Sequence, residues 1–212
     1  MSTKKILVYG DSVVEGQRPD DLNELYTPEE TIPGILQDML SNDYQVINEG
    51  KCGRTTNITG NLPGDSEKNG FTHFAPTLDK HLPVQILVLY LGTNDLKERF
   101  NRSAQEVATA IEKFIFETKR ICTERNIPLP HIILISPSIV KEEYVHPPYR
   151  MKGAENKSMQ LGEFYEEVAI KHNAAFINLA NHIQPSIQDG IHLDPEANQI
   201  VAELLYRMIK EA

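Results

Sequence analysis

Cysteine and positive charge are both scarce in this sequence of 212 residues, and each scarcity excludes a class of protein. The two cysteines, Cys52 and Cys122, form no C-x-x-C pair, so a cysteine-based zinc or iron–sulfur site is excluded. Lys and Arg total 21 against 30 Asp and Glu. Nucleic acids and anionic membranes need a basic surface, so this balance argues against both as partners.

Long apolar runs are missing as well. The longest one, Ile86 to Leu91, is far too short to span a membrane. Near the N-terminus, the run Ile6–Tyr9 is too short for the apolar core of a signal peptide and is interrupted by Gly10. We therefore expect a cytoplasmic protein with no membrane partner.

Short apolar runs alternate with segments of helical periodicity along the chain. Strands are predicted at Lys5–Tyr9, Tyr44–Ile47, Val84–Leu91, His131–Ser136 and Ala175–Leu179. Helices are predicted from Thr27 to about Leu40, after the capping box of Ser103 and Glu106, around Leu161–Ala169, and from Asp194-Pro195 onward. This alternation predicts an α/β fold with a mostly parallel five-stranded sheet covered on both sides. The length predicts one domain over residues 1–212.

Two predicted connections, Gly50–Leu82 and Val140–Asn156, are long for a compact domain, and such loops usually form walls, lids or interfaces. Together they carry Phe71, Phe74, Tyr144, Pro147, Pro148, Tyr149 and Met151. Exposed on a monomer, these side chains would make an unusually large apolar patch. We therefore expect burial between the subunits of a homo-oligomer. The alternative is that both loops fold back over their own sheet as a pocket wall.

The residues with useful chemistry follow the predicted strands. Ser12, Gly53 and Asn94 come after the first, second and third strands, and Asp189 and His192 precede the last helix. Because ligands bind outside the carboxyl ends of parallel strands, we expect these residues at one edge of the sheet. They supply a nucleophile, oxyanion donors, a general base and a group that orients the base, as acyl transfer requires.

Each of these residues alone has an ordinary structural explanation as a turn, a cap or a core histidine, so the prediction depends on their joint order. A G-x-S-x-G elbow is absent, which excludes the α/β-hydrolase arrangement. A metal-dependent phosphoesterase could use Asp11, Asn94, Asp95 and His192 as ligands. That chemistry usually has a D-x-H pair before the G-D block and a G-N-H block, and neither is present.

In order and spacing, the segments Gly10-Asp11-Ser12, Gly53, Gly92-Thr93-Asn94-Asp95 and Asp189-x-x-His192 resemble the four signature blocks of the SGNH (GDSL) hydrolases. The resemblance covers essentially the whole chain. Two further segments, Arg54-Thr55-Thr56-Asn57 and His81-Leu82-Pro83, resemble the arylesterase/acyltransferase subgroup, which also performs perhydrolysis and forms oligomers. Val13 stands where the family motif has Leu, a small apolar change with no expected loss of chemistry.

The resemblance implies a flavodoxin-like three-layer α/β/α sandwich and an esterase that needs no metal or other cofactor. It implies that Ser12 is the nucleophile, that His192 is the general base, and that Asp189 holds the imidazole of His192. The oxyanion would be held by the backbone N–H groups of Ser12 and Gly53 and by the side-chain amide of Asn94.

The neighbouring charged residues are expected to be structural. We expect Asp11 to hydrogen-bond nearby backbone and Asp95 to cap the following turn. Arg54 is expected to pair with an acid such as Glu49, the alternative being that it binds a carboxylate of the acyl group. Small soluble esters are the expected substrates. The alternatives are a lysophospholipase or thioesterase, or a carbohydrate- or partner-binding module on the same fold.

Overall fold

The fold is built on one parallel sheet of five strands, described over residues 3–147 and 149–211 of a computed structural model. The strands are β1 Lys4–Gly10, β2 Tyr44–Gly50, β3 Ile86–Tyr90, β4 His131–Ser136 and β5 Ala175–Asn178. They lie in the order β2-β1-β3-β4-β5, and every neighbouring pair is parallel. The predicted five-stranded parallel sheet is confirmed.

Helices cover both faces of the sheet. They are α1 Ser12–Glu15, α2 Ile32–Leu40, α3 Gly70–His81, α4 Ala104–Arg125, α5 Ala154–His172 and α6 Pro195–Glu211. Buried residues of α3, α4 and α5 form one core with the sheet, and those of α1, α2 and α6 form a second core on the opposite face. The three-layer α/β/α sandwich is therefore also confirmed.

The central strand β3 shows why its sequence is apolar throughout. All five of its residues are buried. Leu87 and Leu89 contribute to the first core, whereas Ile86, Val88 and Tyr90 contribute to the second. A strand covered by helices on both faces has no polar side, so the alternation of a half-exposed strand is absent.

The capping box predicted at Ser103 starts helix α4. The Ser103 hydroxyl accepts a hydrogen bond from the Glu106 N–H (3.2 Å), and the Glu106 carboxylate accepts one from the Ser103 N–H (2.8 Å). The similar box at Thr27 and Glu30 also forms, but it caps only a short 3-10 turn, Pro28–Glu30. Helix α2 begins later because Pro33 has no N–H to continue a helix from that turn.

The prediction of a connection over Gly50–Leu82 is wrong for residues 70–81, which form α3. Asn69 caps this helix by accepting a hydrogen bond from the Thr72 N–H, and Phe74 and Leu78 are fully buried in the first core. The glycines, together with Pro76 inside the helix, obscured the helical spacing of Phe71, Phe74 and Leu78. Short helix α1 was not predicted either.

Strand order places the candidate site. Strand β1 lies between β2 and β3. After β1 the chain adds β2 on one side of it, and then crosses over to add β3, β4 and β5 on the other side. Such a switch point opens a crevice at the carboxyl ends of the two central strands. Among the described residues, none of the helices combines the length and the apolar character that a membrane crossing requires.

Candidate active site

Ser12 lies at the carboxyl end of β1, where the strand turns directly into α1. The carboxylate of Asp11 accepts a hydrogen bond from the Val13 N–H (3.1 Å) and so caps this first turn. Val13 and Val14 are buried in the second core, and this packing holds the turn against the sheet. Asp11 therefore has the backbone-bonding role expected for it, and the Val13 side chain is a core residue.

A row of hydrogen bonds joins Ser12 to two residues near the C-terminus. The Nε2 atom of His192 lies 2.9 Å from the Oγ atom of Ser12. The Nδ1 atom of His192 lies 2.5 Å from the Oδ2 atom of Asp189. His192 and Asp189 are both almost completely buried. The structure thus brings the predicted nucleophile, base and orienting carboxylate together in the order that their predicted roles require.

The loop that carries Asp189 and His192 is held largely by its own hydrogen bonds. The Oδ1 atom of Asp189 accepts hydrogen bonds from the N–H groups of Ile191 and His192, both at 2.9 Å. Gly190 has a φ of +71°, and a Cβ there would lie 2.2 Å from the carbonyl oxygen of Lys141. Only glycine fits this turn, which is why one loop can present both the carboxylate and the imidazole.

The three predicted oxyanion donors border the same cavity as His192. Gly53 has a φ of +77°, a conformation that favours glycine. Among the described residues, the N–H groups of Ser12 and Gly53 have no hydrogen-bond acceptor. The side-chain amide of Asn94 donates to the carbonyl oxygen of Arg54 at 3.1 Å, which ties the third donor to the segment that carries the second.

Asp95 holds the segment after β2 in place. Its carboxylate accepts hydrogen bonds from the Thr56 N–H (2.8 Å), from the Thr56 hydroxyl (2.6 Å) and from the Arg102 guanidinium (2.7 Å). The expectation that Asp95 caps the following turn is wrong. Its side chain is fully buried and is directed to another loop, where Thr56 and Arg102 supply donors. Burial still raises the pKa of Asp95, and these donors counteract that only in part.

Arg54 also differs from its prediction. Its guanidinium donates to the backbone carbonyl oxygens of Gly10 (2.7 Å) and Glu49, and it lies 4.1 Å from the centre of the Tyr9 ring. The carboxylate of Glu49 instead contacts His81 at 2.6 Å. Arg54 therefore stabilises the ends of β1 and β2 through the backbone, and the predicted pairing with an acidic side chain does not occur.

Burial changes the proton affinity of two groups near Ser12. Complete burial raises the pKa of Asp11 to about 6, and its hydrogen bond with Val13 and the charges of His192, Lys97 and Arg54 only partly counteract this. Burial, together with Glu15, raises the pKa of the Cys52 thiol. Cys52 is thus held in its protonated form beside Gly53 and is a poor nucleophile.

A cavity of about 790 Å³ opens above Ser12. Its wall includes Tyr149, whose ring packs edge-to-face against the ring of His192 with 5.7 Å between centres. Lys97 lies on the same wall. Burial, Arg99 and Lys68 lower the pKa of Lys97 to about 8. Neither Tyr149 nor Lys97 was predicted as a site residue, because no local motif marks either one.

Several apolar residues of the two long connections are packed within the chain. Phe74 is buried against Tyr9 and Phe114, Phe71 packs on Phe114, and Met151 is buried in the first core. Pro148 lies outside the described residues. Of the remaining residues, Tyr149 and Met151 line the cavity above Ser12, as the pocket-wall alternative expects, whereas Tyr144 is half-buried and Pro147 is exposed. Phe71, Phe74 and Met151 therefore contribute no exposed apolar patch, and the homo-oligomer stays a prediction.

The carboxylate of Asp95 near Ser12 already accepts hydrogen bonds from other residues of the chain. Both oxygens of Asp95 are occupied by Thr56 and Arg102. Across residues 3–147 and 149–211, no three or more His, Cys, Asp and Glu side chains come together closely enough to hold a metal.

Comparison with solved structures gives several close matches in fold. The carbohydrate acetylesterase Est24 from Sinorhizobium meliloti has a TM-score of 0.91 and 26% sequence identity, with 99% of each chain covered. The aryl esterase of M. smegmatis has a TM-score of 0.90 and 28% identity, again with 99% of each chain covered. A lipase/acylhydrolase from Enterococcus faecalis, at 20% identity and a TM-score of 0.69 over 99% of this chain and 96% of that one, shares the fold.

Comparison by sequence identifies the family. A search of curated proteins gives no match. The model of the GDSL-like lipase/acylhydrolase family matches residues 8–200, from the first strand into the last helix. This span includes every residue of the Ser12–His192–Asp189 row and all three candidate oxyanion donors. The chain therefore belongs to the GDSL-like lipase/acylhydrolase family and is a carboxylic ester hydrolase.

Proposed function

We propose that the protein is a serine esterase that hydrolyses small esters through an acyl-enzyme on Ser12. The observation that carries this proposal is the contact of 2.9 Å between His192 Nε2 and Ser12 Oγ, with Asp189 on the other ring nitrogen. This row opens into a cavity of about 790 Å³, a volume in the usual range for small-molecule sites.

In the first half of the reaction, the Ser12 oxygen attacks the ester carbonyl carbon while its proton passes to His192 Nε2. The tetrahedral intermediate then breaks its bond to the alcohol oxygen, and His192 returns the proton to that oxygen as the alcohol leaves. In the second half, His192 takes a proton from water, the resulting hydroxide displaces the Ser12 oxygen from the acyl carbon, and the proton restores the Ser12 hydroxyl. Asp189 keeps Nε2 of His192 free to accept the proton.

The negative charge on the intermediate needs donors fixed in advance. We propose the N–H groups of Ser12 and Gly53 and the amide of Asn94. This assignment is supported by the absence of a competing acceptor for the two N–H groups among the described residues. Loss of one such donor typically lowers kcat by about a hundred- to a thousandfold.

The proposed substrates are short-chain esters of aryl alcohols or sugars. The S. meliloti relative is named a carbohydrate acetylesterase and the M. smegmatis relative an aryl esterase. Leu22 and Leu62 line the cavity and are substantially exposed, so they offer an apolar surface to an aromatic alcohol. An alcohol in place of water in the second half of the reaction would give acyl transfer. One domain over residues 1–212, a homo-oligomer and a cytoplasmic location remain predictions.

The test uses 4-nitrophenyl esters with acyl groups from acetyl to octanoyl. We expect hydrolysis that is fastest for short acyl groups, insensitivity to a chelator, and a single organophosphonate adduct on Ser12. Ser12→Ala should lower kcat by about 10⁴-fold or more and abolish the adduct. Ser66→Ala, at an exposed serine of the connection after β2, is the matched control and should change neither.

Three outcomes would contradict the proposal. Full activity in Ser12→Ala would contradict the assignment of Ser12 as the nucleophile. Rates that rise steadily toward octanoyl would indicate a lysophospholipase or long-chain thioesterase. An absence of turnover with every ester, despite a folded protein, would favour a binding module.

A further inference from the structure

The cavity above Ser12 differs in charge from the rest of the molecule. The whole chain carries 30 acidic residues against 21 lysines and arginines. Among the described residues, however, no Asp or Glu lines this cavity, whereas four cationic side chains do: Lys68, Lys97, Arg99 and Arg150. The cavity is thus positively charged although the protein as a whole is acidic. Such a cavity is suited to binding an anion.

Two of these cations already have an acidic partner. The guanidinium of Arg99 makes hydrogen bonds of 2.6 and 3.1 Å to the two carboxylate oxygens of Asp65. The ammonium of Lys68 lies 3.7 Å from the same carboxylate. Asp65 is itself buried, and its role is to hold the outer wall of the cavity. These two cations therefore contribute less net charge to the cavity than their number suggests.

Lys97 is different. Its side chain is half-buried, and within the described residues no carboxylate lies within 4 Å of its ammonium group. The ring of Tyr149 lies beside it, with the ring centre 5.8 Å from Nζ. A bound counter-ion strongly stabilises a partly desolvated cation whose other contact is a weak one with an aromatic ring.

The position of Lys97 connects it with the reacting atoms. Tyr149 contacts both the Lys97 ammonium and the ring of His192, so one side chain separates the cation from the proposed base. Lys97 also borders the same cavity as Ser12 and Asn94. An anion bound at Lys97 would thus lie in the same cavity as the scissile carbonyl.

We propose that this cavity selects esters that carry a carboxylate near the scissile bond, and that Lys97 is the residue that recognises the carboxylate. The inference rests on the proposed ester hydrolysis at Ser12 and specifies its substrate class. Arg150, on the same cavity wall, would add a second positive charge for the anion. Lys97 acts on binding and specificity and takes no part in bond formation or cleavage.

The experiment compares anionic and neutral esters of nearly the same size. On the acyl side, the pair is the 4-nitrophenyl ester of glutaric acid monoanion and its methyl-capped analogue. On the alcohol side, the pair is 4-acetoxybenzoate and its methyl ester. The quantity measured is the ratio of kcat/KM for the anionic ester to that for the neutral ester. Each variant is compared with the wild type for the same pair, which cancels the intrinsic reactivity of the esters.

Lys97→Met keeps the length of the side chain and removes its charge. We expect it to lower the ratio about tenfold for at least one of the two pairs, as loss of a charged hydrogen bond typically does. The pair that responds identifies whether the carboxylate belongs to the acyl or the alcohol part. Lys113→Met makes the same change at an exposed residue of α4 and should leave both ratios within about twofold of wild type.

A pH series tests the same inference by changing the charge of Lys97 in the wild type, with Lys97→Met as the reference. The pKa of Lys97 is lowered to about 8, with burial, Arg99 and Lys68 lowering it and Asp11 and Asp65 raising it. Lysine is charged below its pKa, so the preference for the anionic ester should fall as pH rises through about 8. In Lys97→Met the ratio should not change over this range.

Ratios that are identical in wild type and Lys97→Met for both pairs, together with a wild-type ratio independent of pH, would overturn the inference. The proposed function would then still stand if the neutral esters are hydrolysed in a Ser12-dependent manner. Failure of the wild type to hydrolyse any of the four esters would contradict the proposed function and the inference together.

Discussion

Two segments bring functional groups to Ser12, and they are held in place in opposite ways. The loop at 186–193 is held largely by its own hydrogen bonds, with one further bond each from the Lys141 N–H and the Tyr26 hydroxyl. The carboxylate of Asp189 accepts two backbone N–H groups of its own loop, and the Ser186 N–H donates to the His192 carbonyl oxygen at 2.8 Å. The segment at 51–57 instead depends on distant side chains. Asp95 binds Thr56 across 39 positions of sequence, and Arg102 binds Asn57 across 45.

The contrast shows which parts of a site depend on local sequence. A loop closed by its own side chains needs only the correct residues a few positions apart. A loop held by remote side chains forms only after the sheet has brought β1, β2 and β3 together. We expect changes in the first segment to affect mainly catalysis, and changes in the support of the second to affect stability and catalysis together.

The largest expected effect belongs to the loop at 186–193. His192→Ala should lower kcat by about 10⁶-fold and Asp189→Asn by about 10⁴-fold, because the proposed triad acts as a unit. Asn at 189 still has an oxygen to accept the N–H groups of Ile191 and His192, so the loop should keep its fold. Turnover of 4-nitrophenyl acetate, measured beside thermal unfolding, checks both statements.

The control for this prediction is His182→Ala, at an exposed histidine outside the cavity lining, which should retain wild-type turnover. A His192→Ala enzyme that keeps most of its activity would refute the assignment of the base.

The second effect concerns the distant support of segment 51–57. Asp95→Asn leaves the Arg102 guanidinium, whose side chain is only 13% exposed, without its counter-charge. Burial raises the pKa of Asp95, so its own charge is costly, and the free energy of unfolding should fall by about 3 kcal/mol, the lower end for a broken buried pair. Urea unfolding measures this change. Because Thr56 lies three residues after Gly53, kcat should fall as well.

Glu124→Gln breaks an exposed ion pair with Arg120 on α4 and is the matched control, for which a much smaller change is expected. If Asp95→Asn were no more destabilising than this control, segment 51–57 would be self-supporting and the contrast between the two segments would disappear.

The smallest expected effect concerns Asp11, which lies between the two segments. Its carboxylate contacts Val13 and, at 3.5 Å, the amide of Asn94. Its pKa is raised from 3.8 to about 6, so the folded state binds this proton more tightly than the unfolded state does. The stability from this proton is fully present below about pH 4 and is lost as pH rises through about 6.

Asp11→Asn should therefore increase the free energy of unfolding by about 2–3 kcal/mol at pH 8 and have almost no effect near pH 4. Urea unfolding of wild type and variant across this range is the measurement. A difference between the two proteins that stays constant with pH would show that the carboxylate of Asp11 is not destabilised by burial.

The sequence predicted well wherever bonding is local. The capping box of Ser103 and Glu106 formed as expected, because its two members lie within one helical turn. The spacing Asp189-x-x-His192 lets one carboxylate oxygen accept backbone N–H groups while the other reaches the imidazole. Apolar runs such as Ile86–Leu91 predicted the central strand because burial on both faces leaves only apolar residues there.

Three failures share a physical cause, since each depends on at least one partner that is distant in sequence. The local sequence does not predict helix α3 because Gly70 and Pro76 lower helix propensity, whereas the burial of Phe74 against Tyr9 and Phe114 stabilises it. Asp95 and Arg54 were given the nearest plausible partners, but their actual partners are Thr56 and Arg102, and the backbone of Gly10 and Glu49.

The sequence by itself determined the α/β class, the five strands and the set of residues expected around Ser12, because periodicity, caps and short spacings are local properties. Only the tertiary structure decided how segment 51–57 is held and which cations surround the cavity. Those features depend on the strand order β2-β1-β3-β4-β5, which brings Lys97 and Tyr149, 52 positions apart, onto one wall beside His192. Chain folding sets such distances, and no local pattern encodes them.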